Sequence, residues 1–184
     1  MIEEMLNLSL QDTGWEFTYT DHDREIVRAI VCDDDGYLYF VRADRDDIFG
    51  KAIVIETAGG GVERGEDLES AIKRELLEEL GAVVDVVCKI GVVSDYYNLI
   101  HRHNINNYYL CKVKSFMDKN LTEDERNLYH LTTLKLTYEE AVAEYALRRD
   151  SMLGRVIGNR ELPVLEKAKE ILDNALNFLP KKKI

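Results

Sequence analysis

The sequence predicts an α/β fold of the α+β kind, in which a mixed β-sheet lies between helices. Strand-like segments precede and follow a single glycine-rich loop and helix over residues 59–82. A second long segment, residues 162–178, repeats apolar residues at helical spacing. One helix inside a series of strands and one helix closing the chain are typical of a sheet covered on both faces.

No internal repeat or linker divides the chain, so we expect one domain over residues 1–184. Its predicted parts are an N-terminal extension over residues 1–23 that contains a strand, a core over 24–145 and a C-terminal helix over 160–179.

Composition excludes several classes of protein. A net charge of −11 argues against binding to polymeric nucleic acid or to an acidic membrane surface. The three cysteines form no C-x-x-C pair, which argues against a disulfide framework or a zinc site and fits a reducing cytosol. No apolar run has the length of a signal peptide or a membrane span, so we expect a soluble cytoplasmic protein.

In the N-terminal part, residues 1–14 show no clear period, so they form either a short helical turn or a cover for a sheet edge. Residues 15–20 alternate as in a strand, and residues 21–23 suit a turn. The following segments predict a hairpin of two strands, 25–32 and 37–42, joined by the turn at 33–36.

Residues 43–50 are polar and acidic, which predicts a loop that either covers a ligand or only connects two strands. Further strands are expected over residues 53–57, 83–93 (as one strand or two), 107–113 and 131–136, with a polar loop over 115–127. Thr137 followed by Glu140 has the capping-box pattern of a helix start. Pro163 predicts the start of the C-terminal helix, which packs either on the domain or on a second copy in a homodimer.

The central helix is expected from Leu68 to Leu80, between Asp67 as N-cap and Gly81 as the left-handed residue after its end. On a helical wheel Glu75 and Glu79 share the bearing of its apolar residues.

Glu78 lies close to that bearing, so the carboxylates of Glu75, Glu78 and Glu79 converge on one patch at the helix end where the dipole favours cations. Lys73 and Arg74 point elsewhere on the wheel. Clustered carboxylate oxygens suit Mg²⁺ or Mn²⁺. The alternative is a solvated acidic face on a structural protein, which would bind no metal.

The same residues carry a family resemblance. Gly60, Glu66 and the run Arg74-Glu75-Leu76-Leu77-Glu78-Glu79-Leu80-Gly81 match every fixed position of the motif G-x5-E-x7-R-E-U-x-E-E-x-G-U, where U is a bulky apolar residue. This pattern resembles the Nudix box, and Ala82 in the last apolar position is the one departure. The resemblance implies the Nudix-type α/β/α sandwich.

The resemblance also implies roles. Glu75, Glu78, Glu79 and the carbonyl of Gly59 would hold Mg²⁺, or alternatively Mn²⁺. Gly60 and the pair Glu66–Arg74 would orient the site. A carboxylate in the loop 123–125, for which we choose Glu125, or else Glu75, would act as the general base.

The implied activity is metal-dependent hydrolysis of a phosphoanhydride in a nucleoside diphosphate linked to another group. Residues 56–60 resemble the approach to the box in enzymes acting on ADP-ribose or nucleotide sugars. Alternatives are a dinucleoside polyphosphate or nucleoside triphosphate substrate, and a non-catalytic module that senses a nucleotide. Candidate substrate-binding residues are Arg42, Tyr96, Tyr97, His101 and His103, with the tyrosines alternatively half-buried at the sheet rim.

Overall fold

The structure is a computed structural model that describes residues 4–178, with side chains up to residue 175. Eight strands and four α-helices follow in chain order. They are β1 Leu6–Leu10, β2 His22–Cys32, β3 Leu38–Asp47, β4 Gly50–Glu56, β5 Ala58–Gly61, α1 Leu68–Leu80, β6 Ala82–Tyr97, β7 Arg102–Phe116, α2 Glu123–Asn127, β8 Thr132–Leu136, α3 Tyr138–Leu147 and α4 Met152–Phe178.

The strands form one mixed sheet in the order β1-β6-β7-β2-β3-β4. The pairs β1–β6 and β2–β7 are parallel and the others antiparallel. Opposite β7, β2 pairs with β5 through Ile26–Ala29 and with β3 only through Val31 and Cys32. This change of partner forks the sheet and separates the glycine strand β5 from β3 and β4.

Each face of the sheet carries its own apolar core. On one face α1 buries Ala71, Ile72 and Leu76 against β2 and β7. On the other face, α3 and α4 bury residues such as Tyr145 and Leu165. The predicted mixed sheet between helices is therefore confirmed. Of the two alternatives for the C-terminal helix, packing on its own domain is the one observed.

The predicted limits of α1 are also confirmed. Asp67 Oδ1 accepts hydrogen bonds from the backbone amides of Glu69 and Ser70 at 3.1 and 3.0 Å. Gly81 takes the left-handed conformation, with φ 68°. Thr137 and Glu140 form the predicted capping box of α3.

The prediction of a strand over residues 15–20 is wrong. These residues belong to no strand of the sheet, and the edge of β6 is occupied by β1. Phe17 and Tyr19 are 61% and 56% exposed, and Tyr19 stacks on His101 instead. The predicted turn at residues 21–23 is also wrong, because β2 begins at His22, which pairs in register with Arg102 of β7.

Three other boundaries also differ. Residues 43–50 are not a loop but the tip of the β3–β4 hairpin, where Arg45 bonds to Asp47 and lies over the rings of Phe49 and Tyr129. The predicted loop 115–127 ends in α2, whose start is fixed by a capping box between Thr122 and Glu125.

The C-terminal helix begins at Met152 rather than near Pro163, which lies inside it. A proline inside a helix costs about 3 kcal/mol. Burial of Leu153 and Ile157 before it and of Val164 and Leu165 after it offsets that cost. The predicted helix end at residue 179 lies outside the described residues. None of the described helices has both the length and the apolar composition needed to cross a bilayer.

Candidate active site

A cleft of about 520 Å³ opens at the fork of the sheet. Strands β2, β3, β4, β5, β6 and β7 and helices α1, α2 and α4 contribute to its lining. Its ionisable lining consists of five arginines, five carboxylates and two tyrosines: Arg24, Arg28, Arg45, Arg102, Arg160, Asp47, Glu56, Glu75, Glu79, Glu125, Tyr97 and Tyr129.

Glu79 is the most deeply placed acid at the α1 end of the cleft. Its side chain is 9% exposed, and its Oε2 accepts a 2.8 Å hydrogen bond from the backbone amide of Gly59. Burial raises the pKa of Glu79 to about 8, although Gly59 and Arg28 oppose the rise. An ionised carboxylate with one hydrogen bond in this position lacks a compensating cation.

Glu75 lies beside it and is 8% exposed. Burial also raises the pKa of Glu75, while Arg74, whose Nη1 donates to Glu75 Oε1 at 2.7 Å, lowers it. The same Nη1 lies 3.3 Å from Glu78 Oε2. Our prediction that Arg74 points away from the glutamates is therefore wrong, because the long side chain folds back along the helix surface.

Glu78 is 35% exposed and is not among the residues that line the cleft. Among residues 4–175, no group of three or more Asp, Glu, His or Cys side chains is arranged as a ready metal site. The three glutamates thus share one end of α1, and the positive charge near two of them, Glu75 and Glu78, comes from Arg74.

Arg74 also joins α1 to the glycine-rich segment. Its Nε and Nη2 donate to the two carboxylate oxygens of Glu66 at 2.9 Å each, and Nη2 donates to the carbonyl of Gly61 at 3.0 Å. The pair with Glu66, and secondarily with Glu75, raises the pKa of Arg74 further. The ion pair expected between Glu66 and Arg74 is present and ties the loop to the helix.

The glycines of β5 allow this close approach. Gly59 has φ 148°, and a β-carbon there would strike the backbone carbonyl of Val27. A β-carbon on Gly60 would lie 2.5 Å from Oε2 of Glu75. Side chains at either position would therefore displace β2 or the glutamate.

Glu125 is the one acid of the segment 123–125 that lines the cleft. It reaches there from α2, where its Oε2 accepts a 2.7 Å hydrogen bond from the amide of Thr122. Its charge contributes to the raised pKa of both Glu75 and Glu79.

The donor set fits a hard divalent cation. Glu75, Glu79 and Glu125 offer carboxylate oxygens alone, which Mg²⁺ and Mn²⁺ prefer. Independently, the ionised carboxylate of Glu79 is buried with a single hydrogen bond, and a bound cation would compensate its charge.

A buried polar network lies under the glycine strand. Glu161 of α4 is fully buried and accepts hydrogen bonds from Thr57, Tyr108 and Tyr145. Arg160, also buried, bonds to Glu161, Asp95 and Tyr97. The network attaches α4 to the residue that precedes β5.

The predicted substrate residues are dispersed. Tyr97 lines the cleft and is only 5% exposed, so it is buried more completely than the alternative of half-burial at the sheet rim required. Tyr96 stacks on His103, whose Nδ1 contacts Asp23, and neither residue lines the cleft.

Two further candidates also lie away from the cleft lining. Arg42 alternates with Val41 and Ala43, which line the cleft, and does not line it itself. His101 lies between β6 and β7 with φ 55° and does not line the cleft.

Sequence reasoning missed the arginines of β2 and α4. Arg24 and Arg28 share one face of β2, and this alternate spacing of two like charges was a usable signal. Arg160 and Glu161 precede Pro163, where the helix was expected to begin, so their burial was not foreseen.

Residues 22–149 match the NUDIX domain family, which is more than half of the chain. The chain belongs to the Nudix family. The resemblance read from the box is thereby confirmed.

Two solved Nudix relatives share the fold. A NUDIX hydrolase from Nitrosomonas europaea superposes with a TM-score of 0.60 and 19% identity, covering 84% of this chain and 90% of that one. The MutT protein from Methanosarcina mazei Go1 gives 0.56 and 14% identity, covering 85% and 98%. At these identities the likeness concerns the fold.

Among sequence relatives, the nucleoside triphosphatase NudI of Escherichia coli K12 is 43% identical over 58 residues. That alignment covers 32% of this Nudix chain and 40% of NudI.

Proposed function

We propose that this Nudix chain is a metal-dependent hydrolase that cleaves a phosphoanhydride bond in a nucleoside diphosphate linked to another group. The observation that carries the proposal is Glu79, 9% exposed in the cleft beside Glu75 and held by one backbone amide. Two buried carboxylates side by side repel an anionic substrate unless divalent cations lie between them.

Glu75, Glu78 and Glu79 would hold Mg²⁺, or Mn²⁺ in its place, with the Gly59 carbonyl as the ligand that the family resemblance implies. When bound, the ion screens the diphosphate charge and lowers the pKa of an attacking water. Glu125 or Glu75 would accept the proton of that water. Arg74, fixed by Glu66 and by the Gly61 carbonyl, would orient Glu75.

The proposed ligand is a small nucleotide. Two kinds of linked group fit the chemistry. One is a sugar, as in ADP-ribose or a nucleotide sugar, which residues 56–60 weakly favour. The other is further phosphate, as in a nucleoside triphosphate or a dinucleoside polyphosphate. The partial likeness to a nucleoside triphosphatase supports the second.

The test is the variant Glu79→Gln, which keeps an acceptor for the Gly59 amide but removes the charge. Mg²⁺-dependent release of phosphate or nucleotide from a nucleotide panel should fall at least about a hundredfold. The matched control is Glu69→Gln, because Glu69 lies on the same helix with its side chain 59% exposed.

Circular dichroism should show both variants folded, and calorimetry should show Mg²⁺ binding to the control alone. Unchanged turnover in Glu79→Gln would remove the proposal. Mg²⁺-dependent nucleotide binding without turnover in the wild-type chain would favour a sensing module instead.

A further inference from the structure

Two arginines in the cleft have no carboxylate partner. The other three each make an ion pair: Arg45 with Asp47 at 2.6 Å, Arg28 with Glu56 at 3.6 Å and Arg160 with Asp95 at 3.2 Å. Within residues 4–175, neither Arg24 nor Arg102 forms an ion pair or a side-chain hydrogen bond. The cleft therefore has unpaired positive charge as well as its glutamates.

Arg102 carries its charge in an environment that does not compensate it. Its Nε is buried and has no hydrogen-bond partner in the described chain. Burial and then the neighbouring charge of Arg24 lower its pKa. Asp95 attracts it, but Asp95 already binds Arg160 and two asparagines of β7, Asn104 and Asn106. A partly buried charge beside a like charge and without a counter-ion is costly, and a bound anion would remove the cost.

Arg24 lies across the glycine strand from Glu75. A β-carbon on Gly61 would lie 3.0 Å from Nη2 of Arg24, whereas one on Gly60 would lie 2.5 Å from Glu75 Oε2. Successive β-carbons of a strand point to opposite faces. Arg24 and Glu75 thus approach opposite faces of β5. Both still line one cleft, which is open between them because Gly60 and Gly61 have no side chains.

We propose that Arg24 and Arg102 form an anion subsite for a phosphoryl group beyond the diphosphate held at the glutamate end, so that the preferred substrate carries three or more consecutive phosphates. The choice of substrate rests on the proposed hydrolase function, whereas the binding of the anion does not. Asn104 Oδ1, a buried acceptor without a partner, lines the same cleft and requires a donor. A hydroxyl or amino group of the ligand supplies one, which phosphate alone does not carry and a nucleotide does.

The first experiment measures binding without metal. Calorimetry in EDTA should detect inorganic tripolyphosphate bound to the wild-type chain, and Arg102→Gln and Arg24→Gln should each weaken it at least about tenfold. Arg24 is exposed, so its variant folds even if the Arg102 variant does not. The control is Arg149→Gln, because Arg149 is exposed, lies outside the cleft and contacts Asn159.

The control should bind tripolyphosphate within about twofold of wild type. Equal weakening in the control, or full binding by Arg24→Gln, overturns the subsite. Orthophosphate in place of tripolyphosphate should bind more weakly, because it lacks neighbouring phosphoryl groups for the rest of the cleft; equally tight orthophosphate binding overturns the polyphosphate preference.

The second experiment compares substrates with Mg²⁺ present. Arg24→Gln should lower kcat/KM for ATP at least about tenfold and for ADP-ribose less than about threefold. An equal loss for both substrates contradicts the assignment. If the wild-type chain hydrolyses no nucleotide of the panel, the hydrolase proposal fails, and binding in EDTA alone decides the subsite.

Discussion

The backbone amide of Thr57 donates a 2.6 Å hydrogen bond to Oε2 of Glu161. This bond joins α4 to the residue immediately before the glycine strand, and the Thr57 hydroxyl donates to Oε1 of the same carboxylate at 2.8 Å. Burial opposes the charge of Glu161, but Arg160 and Arg28 outweigh burial and lower the pKa of Glu161. The C-terminal helix therefore supports the strand that carries Gly59, whose amide binds Glu79.

The variant Glu161→Gln should lose stability and activity together. Removing the carboxylate leaves Arg160 with less compensation in a fully buried position, which costs about 3 kcal/mol of unfolding free energy. Loss of the second acceptor for Thr57 should let Gly59 shift, so kcat should fall while KM stays within about twofold. Urea denaturation and steady-state kinetics measure both effects.

The control for that variant is Glu166→Gln, which removes a charge from an exposed position of the same helix. Its unfolding free energy should change by less than about 0.5 kcal/mol. A Glu161→Gln protein as stable and as active as this control would show that the network does not position the glycine strand.

The variant Gly60→Ala should impair the site through one methyl group. The new β-carbon would lie 2.5 Å from Oε2 of Glu75, so the carboxylate must move away from Glu79. We expect turnover to fall at least about tenfold, with Mg²⁺ affinity weakened in calorimetry.

Gly158→Ala is the matched control. Gly158 lies inside α4, and its new β-carbon would meet the flexible end of Arg149 at 3.3 Å. Alanine should stabilise the helix by up to about 1 kcal/mol and leave activity unchanged. Full activity in Gly60→Ala would mean that Glu75 need not stay in its observed position.

Glu79 should make the metal-free protein less stable as the pH rises. Its pKa is raised from 4.5 to about 8 in the folded state, so between these values the folded chain holds a proton that the unfolded chain has lost. Stability therefore decreases across this window, by about 5 kcal/mol at most. Chemical denaturation in EDTA at a series of pH values measures the decrease.

Glu79→Gln isolates that contribution from other titrating groups. In EDTA at pH 8 the variant should be more stable than wild type, and the difference should vanish toward the acid end of the window. Saturating Mg²⁺ should raise wild-type stability at pH 8 and leave the variant unchanged. Parallel pH profiles for the two proteins would contradict the raised pKa.

Local sequence chemistry determined α1 and its setting. Asp67 and Gly81 specify its ends through hydrogen bonds within one turn, and apolar spacing specifies its buried face. The charges of Glu75 and Glu79 on that face indicated a site, because such a pattern disfavours folding on its own. The spacing of Gly60, Glu66, Arg74 and the glutamates indicated the family.

Other features depend on which strand a segment meets. Residues 15–20 have a strand-like pattern but join no strand of the sheet, and residues 43–50 look like a loop but pair across a hairpin. Pro163 resembles a helix start, yet burial on both sides of it keeps one helix continuous. The residues that pair with a segment or bury it are distant in sequence, so local patterns do not specify them.

The sequence by itself determined the glutamate end of the cleft, because those residues lie within one helix and the loop before it. Only the tertiary structure decided the arginine end. Arg24 and Arg102 lie on β2 and β7, strands distant in the chain that become neighbours through parallel pairing. The network of Arg160 and Glu161 likewise exists only because α4 packs on β4 and reaches Thr57. These contacts depend on topology, which sets long-range proximity and which no local spacing encodes.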